Sequence, residues 1–269
     1  MNPPVTARAP APAAAPRRHL PPLSAVASRI VQQASLDDPD LGLLARLIEL
    51  DPALTVAVLR LVNSPFFGMS RRVGTVSDAI MVLGMATVRR VAIASAVAQP
   101  LQQLGLKRSL VQAMWRKAIA GAVLATRLLD GHADSQLAFT AGVLQDIGRL
   151  DLHLRDPEAY ATLEALSGQA LCTAEQAAFG HSHADAGAAL AEAWALPQAI
   201  VDAIGQHHRP AALAPTTPAA QAVWLASLIG DGDLGLVPMP PLPHVLADMA
   251  QAQAASQREI QALCQLVGA

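Results

Sequence analysis

Cysteine, aromatic residues and charge are all scarce in this chain. Two cysteines, Cys172 and Cys264, occur in 269 residues, far apart and with no CxxC pair. That excludes a disulfide framework and a thiolate zinc site, and a reducing cytoplasm is the expected compartment. Aromatics make up 3% of the residues, too few for a base-stacking platform. Charged residues reach only 15%, and the formal net charge of -2 leaves no field to hold a polyanion, although Arg71-Arg72 and Arg89-Arg90 form local basic pairs. Also missing is any run of about 18 apolar residues free of charge or turn signals, which excludes a membrane-spanning helix. No alternating β-branched or aromatic runs are joined by Asn-Gly or Asp-Gly turns, so nothing reads as a hairpin sheet.

What is abundant is apolar residue, 52% of the chain, enough for a large core in one or two domains. Almost every informative window repeats at 3.6 residues, and the expected fold is all-α with two packed helical subdomains. Met1 to Arg18 carries proline, alanine, three arginines and no acid, and reads as a disordered tail without the apolar stretch of a secretory signal. Short helices are expected over Ser24 to Gln33, Asp40 to Leu50, Asp51-Pro52 to Val62, Ser77 to Gly84 and Ala86 to Val97. They would form an N-terminal bundle over 19–100 that closes at a seam at Pro100. Longer helices follow over Lys107 to Leu129, Ser135 to Leu150, Pro157 to Leu166, Thr173 to Phe179, His183 to Trp194 and Pro197 to His207, making a second half over 101–212. Pro210 to Pro218 reads as a linker and Asp231 to Pro243 as a loop, with helices at Gln221 to Ile229 and Gln253 to Val267 in an extension, 213–269, packed on the second half.

Chemistry gathers at four spots: Lys117, Gln145-Asp146, His183 and His207-His208. Gln145-Asp146-Ile147-Gly148 reads as a metallohydrolase His-Asp-x-Gly helix whose histidine has been replaced. Adjacent His and Asp on a helix, about 100° apart, can both reach one metal, whereas glutamine offers a weak neutral oxygen. Asp146 shares a helical face with Phe139, Val143 and Leu150, so its carboxylate should point inward and needs a partner. His181 reads as a capping or surface residue. His207-His208 closes a helix, where imidazolium suits the dipole and a C-terminal cap is an alternative to a site role.

Leu20-Pro21-Pro22-Leu23, Leu50-Asp51-Pro52-Ala53-Leu54-Thr55, Leu61-Val62-Asn63-Ser64-Pro65-Phe66-Phe67-Gly68 and Ala79-Ile80-Met81-Val82-Leu83-Gly84 resemble the HDOD domain. So do Trp115, Gln145 to Gly148, His183 with Gly187, Trp194-Ala195-Leu196-Pro197 and His207-His208. The resemblance covers about residues 20 to 212. It implies a bacterial signalling module related to the HD phosphohydrolases and the HD-GYP cyclic di-GMP phosphodiesterases. Carried over position by position, Lys117 stands where the first ligand histidine would be and Gln145 takes the place of the motif histidine. Asp146 is kept, His183, His207 and His208 match the further histidines of a two-metal site, and Ser227 falls near the final aspartate.

An ammonium at Lys117 cannot ligate and would repel a cation, so neither a metal nor another cofactor is expected, and Lys117 should instead pair with Asp146. The resemblance implies a non-catalytic signal-transduction protein that binds a response regulator, a histidine kinase or a cyclic di-GMP enzyme. Two alternatives remain: a nucleotide sensor built on the former cleft, or a residual metal-dependent phosphohydrolase using Asp146, His183, His207 and His208. Leu54 to Asn63 superficially suggests helix-turn-helix, but its apolar face leaves only Arg60 and Asn63 to read bases, which disfavours nucleic acid. Pro65, Phe66 and Phe67 read either as a loop anchor for a partner or as packing between the halves.

Overall fold

The computed structural model describes residues 19–64, 67, 69, 71–102, 104–231, 257 and 260–265. Among them every regular element is helical and no strand occurs, as the 3.6-residue periodicity requires. The expected tail, Pro65, Phe66 and most of the expected 231–243 loop lie outside the described residues.

The first four helices begin where short polar side chains can take up free backbone N–H groups. Ser24 Oγ accepts from Ala27 N at 3.0 Å to open α1 (Ala25–Ser35), and Asp40 accepts from Leu43 N at 2.8 Å to open α2 (Leu41–Glu49). Asp51 caps α3 (Pro52–Val62) ahead of a proline whose missing N–H costs nothing at that position. α4 (Val76–Leu83) starts one residue before the expected Ser77, because Thr75 accepts from Asp78 N. It stops at Gly84, whose φ of 75° suits glycine.

α5 (Met85–Gln102) runs five residues past its expected end at Val97 and carries Pro100 within it. Residues 91–98 are all buried, so packing on every side holds a helix that a proline alone would end. The helix therefore does not break at the expected seam.

The second half comprises α6 (Arg108–Leu128), α7 (Ser135–Leu144), α8 (Ile147–Arg155), α9 (Pro157–Ala161), α10 (Gly168–Phe179), α11 (His183–Ala193), α12 (Gln198–Gln206) and α13 (Pro218–Asp231). A 3₁₀ turn, Ala211–Leu213, interrupts the expected linker. α9 is shorter and α10 and α13 are longer than their expected spans.

The largest departure is at Gln145-Asp146, where one expected helix is two. The chain turns there so that α7 can lie on α6 and α8 on α11. Gly142 is pressed against α6 so closely that a Cβ would come within 2.6 Å of Ala122 Cα. α13 packs on α6, α7 and α12. Residues 260–265, by contrast, sit beside the first half, where Ala262 and Gln265 line a groove of about 730 Å³ with α3 and α5.

One apolar core runs from Leu20 to Cys264 through both halves. α1 stitches them: Ser35 Oγ lies 2.8 Å from Thr140 Oγ1 and Gln32 donates to the Ala195 carbonyl, while within the first half Arg89 of α5 donates to the Ala34 and Leu36 carbonyls. Just ahead of α1, Leu20 N donates to Asp151 of α8. Phe67 is half-buried against this core, which supports packing over a free anchor at that position.

Candidate functional site

The turn between α7 and α8 sets up the site. Asp146 is the N-cap residue of α8, yet its carboxylate makes no capping bond and is free to face inward. It is 1% exposed. Its φ and ψ of -93° and 6° lie in the sparsely populated bridge region common among functional residues. Gln145 is equally buried, but its amide nitrogen lies over Gly121 of α6, in the space a Cβ would fill.

His183 is the first residue of α11, held by a capping box in which Ser182 and Asp185 serve each other's backbone N–H. Its backbone N–H and its Nδ1 both meet Glu175 Oε2, at 2.7 and 2.6 Å. Its Nε2 lies 3.5 Å from Asp146 Oδ1 and 3.3 Å from His207 Nε2. His207 ends α12 and donates from Nδ1 to the Ile204 carbonyl at 2.6 Å, so it caps the helix and faces the site at once. His208 stacks beside it, ring centroids 4.1 Å apart, with its Nδ1 3.7 Å from Asp231 Oδ2.

Lys117 of α6 reaches the same carboxylate from the other side. Its Nζ lies 3.6 Å from Asp146 Oδ2 and 3.0 Å from Asp231 Oδ1. The ammonium and the histidines thus approach different oxygens of Asp146. His181 stays apart, half-buried against Arg155.

Electrostatics follow from burial and these neighbours. Burial alone would raise the Asp146 pKa, but Lys117, Arg149 and the histidines hold it far below the usual carboxylate range. Burial alone would lower Lys117, and the Asp146 and Asp231 charges outweigh it, so the amine is raised and stays protonated. Burial, then its two histidine neighbours, keeps His207 well below an ordinary imidazole. Burial likewise lowers His208, to about 3. Both rings are neutral at pH 7, the form in which imidazole ligates.

The relatives of this fold imply a divalent metal, and the donor set fits one. The ligating atoms of Asp146, His183, His207 and His208 all lie within 4.8 Å of one another. Neither Asp146 oxygen nor His208 Nε2 has a hydrogen-bond partner among the described residues.

Four participants escaped sequence reasoning. Asp231, read as the start of a loop, supplies the carboxylate one helical turn after Ser227, which is buried with its hydroxyl unpartnered among the described residues. Glu175 holds His183, and Tyr160 donates to Glu175 at 2.8 Å while accepting from Arg149 Nε at 3.0 Å. Arg149 also lies 4.0 Å from Asp146. The available signal was the acid at Glu175 on the otherwise apolar Leu171-Cys172 face of α10.

The HDOD domain model matches residues 20–210, most of the chain. The chain belongs to the HDOD family. Its fold is similar to that of a candidate phosphohydrolase from Shewanella amazonensis SB2B, with a TM-score of 0.71 at 25% identity over 92% of this chain and 95% of that one. It is similar in fold alone to an HDOD domain protein of unknown function from Geobacter sulfurreducens, with a TM-score of 0.65 at 24% identity, covering 93% of this chain and 88% of that one. The same holds for a candidate signal transduction protein from Marinobacter aquaeolei VT8, with a TM-score of 0.69 at 24% identity over 93% of this chain and 60% of that one. A curated protein of unknown function from Treponema pallidum (strain Nichols) is 26% identical over 84% of this HDOD chain, which spans 45% of that relative's length. Among the described residues, no helix is long and apolar enough to cross a membrane.

Proposed function

We propose that this HDOD chain is a regulatory protein of bacterial signal transduction that has given up hydrolysis at its HD-type site and acts by binding other proteins. The observation that carries the reading is the Lys117 ammonium held between Asp146 and Asp231. Lys117, Gln145, Asp146, His183, His207 and His208 are then the former metallohydrolase positions, with Asp231 rather than Ser227 as the last carboxylate. A two-metal phosphohydrolase needs a second cation to activate water and steady the leaving oxygen. An ammonium pinned by two carboxylates supplies charge but neither an open coordination position nor a bound hydroxide.

The docking face fits the first half. Leu50, Val56 and Met81 are 71%, 51% and 77% exposed on the N-terminal bundle, apolar side chains that a docked partner would cover. Response regulators, histidine kinases and cyclic di-GMP enzymes are the partner classes that this reading puts there.

The test is an assay of the full chain against cyclic di-GMP and a chromogenic phosphodiester with added manganese or iron. No turnover is expected, and metal-dependent turnover abolished by Asp146→Ala overturns the non-hydrolytic reading. A photo-crosslinker at Met81 should trap a defined protein in cells, whereas one at the exposed Leu213 should not. Equal trapping at both positions would count against docking on the bundle.

A further inference from the structure

The imidazole cluster converges on one buried point. His183 Nδ1 faces a carboxylate oxygen of Glu175, and His207 Nδ1 faces the Ile204 carbonyl, each at 2.6 Å. Both oxygens only accept, so each ring donates from Nδ1 and turns its Nε2 toward the other, 3.3 Å away. Asp146 Oδ1, 3.5 Å from His183 Nε2, and His208 Nε2 come to the same spot, and neither has a hydrogen-bond partner among the described residues. Ligand-type atoms left unpartnered out of water are costly unless they share a cation.

We propose that Asp146, His183, His207 and His208 hold one divalent first-row transition-metal ion, and that Lys117 takes the place of a second. Three imidazole nitrogens and one carboxylate oxygen suit zinc, manganese or iron rather than magnesium or calcium. The outer contacts are those a ligating histidine needs: Glu175 orients His183 and the Ile204 carbonyl orients His207. Lys117 sits on the opposite oxygen of Asp146, 3.0 Å from Asp231, where a second dication would meet an ammonium head-on. The carboxylates of Asp146, Glu175 and Asp231 are offset there by two permanent cations, Lys117 and Arg149, so one dication leaves the cluster near neutral whereas two would build up a large positive charge out of water. The inference rests on the same assignment of Lys117 as the non-hydrolytic reading, and metal stoichiometry tests it separately from turnover.

The experiment titrates the chelator-dialysed full chain with Co2+, following heat and the visible d–d band, and repeats the measurement with Zn2+ and Mn2+ by metal analysis after gel filtration. The expected result is one equivalent of Co2+, a visible band of low-symmetry nitrogen and oxygen ligation, and a higher melting temperature in the loaded form. His208→Ala should weaken binding at least tenfold, and Lys117→His should admit a second equivalent. Binding below a tenth of an equivalent overturns the metal site, leaving a proton shared between His183 and His207. Two equivalents in the wild type, or one only in Lys117→His, overturn the role given to Lys117. Should His208→Ala fail to fold, the wild-type stoichiometry and band decide by themselves. Turnover measured on the same samples keeps the two readings apart: metal with turnover overturns only the non-hydrolytic one, and neither metal nor turnover overturns only this one.

Discussion

Gly148 lies so close to His183 that a Cβ on it would stand 2.0 Å from the His183 carbonyl oxygen and 2.7 Å from the Gly187 amide nitrogen. Both obstacles are backbone, so no rotamer change relieves them. Gly148→Ala must therefore push α8 away from α11, at a cost of more than about 3 kcal/mol. The expected outcome is loss of the cooperative melting transition, or a fall of many degrees, by circular dichroism. A variant that melts like the wild type would contradict this packing.

Lys117→Met keeps much of the stem's packing and removes the charge from beside Asp146 and Asp231. Breaking a buried pair costs roughly 3–5 kcal/mol, but Lys117 is 26% exposed and Arg149 remains near Asp146, so about 2 kcal/mol is expected. Urea unfolding at neutral pH measures it. An unchanged midpoint would mean that the ammonium is solvated rather than paired.

Glu175 gives the fold an acid dependence. Burial alone would raise its carboxyl, yet the hydrogen bonds and charge of His183, with the Tyr160 hydroxyl, hold it below its ordinary 4.5. A depressed folded value contributes stability that is full above the unfolded value and is lost as pH falls through the folded one. Wild-type stability from this carboxylate should thus hold from neutral pH down to its ordinary 4.5 and fall as the pH drops further, and Glu175→Gln should start lower and show a flatter acid profile. Parallel slopes would remove Glu175 from the account.

Cys172 should be inert while the protein is folded. Burial, reinforced by the Glu175 and Asp146 charges, pushes its thiol up to about 12. At pH 8 its thiolate fraction is about a thousandfold below that of a free thiol, and its sulfur is largely shielded. Labelling by a disulfide reagent, located by mass spectrometry, should occur in urea and not in buffer.

How far these features could be read from the chain varied with their range. The caps at Asp40 and Asp51 were legible because an N-cap bond spans two or three residues, and the Trp115, His183 and His207-His208 positions stood out through family spacing. The break at Gln145-Asp146 was not legible. Apolar periodicity continues through it, and what bends the chain is the close seating of Gly142 on Ala122 and of Gly148 on His183, both long-range contacts. Asp231 was hidden for a related reason: the following glycines and prolines suggested that the helix had already ended. The persistence of α5 through Pro100 is the same lesson in reverse, since burial over residues 91–98 overrides a local breaker.

The stitching by α1 bears on how the protein is made. Its polar partners Thr140 and Ala195 stand 105 and 163 residues later in the sequence. Loops of that length close slowly, and a chain leaves the ribosome N-terminus first. The opening helix can therefore settle on α2 and α5 early, while its bonds to Thr140 and Ala195 wait until the histidine-bearing half has emerged. Slower translation of that later half would lengthen the interval in which the nascent chain needs a chaperone.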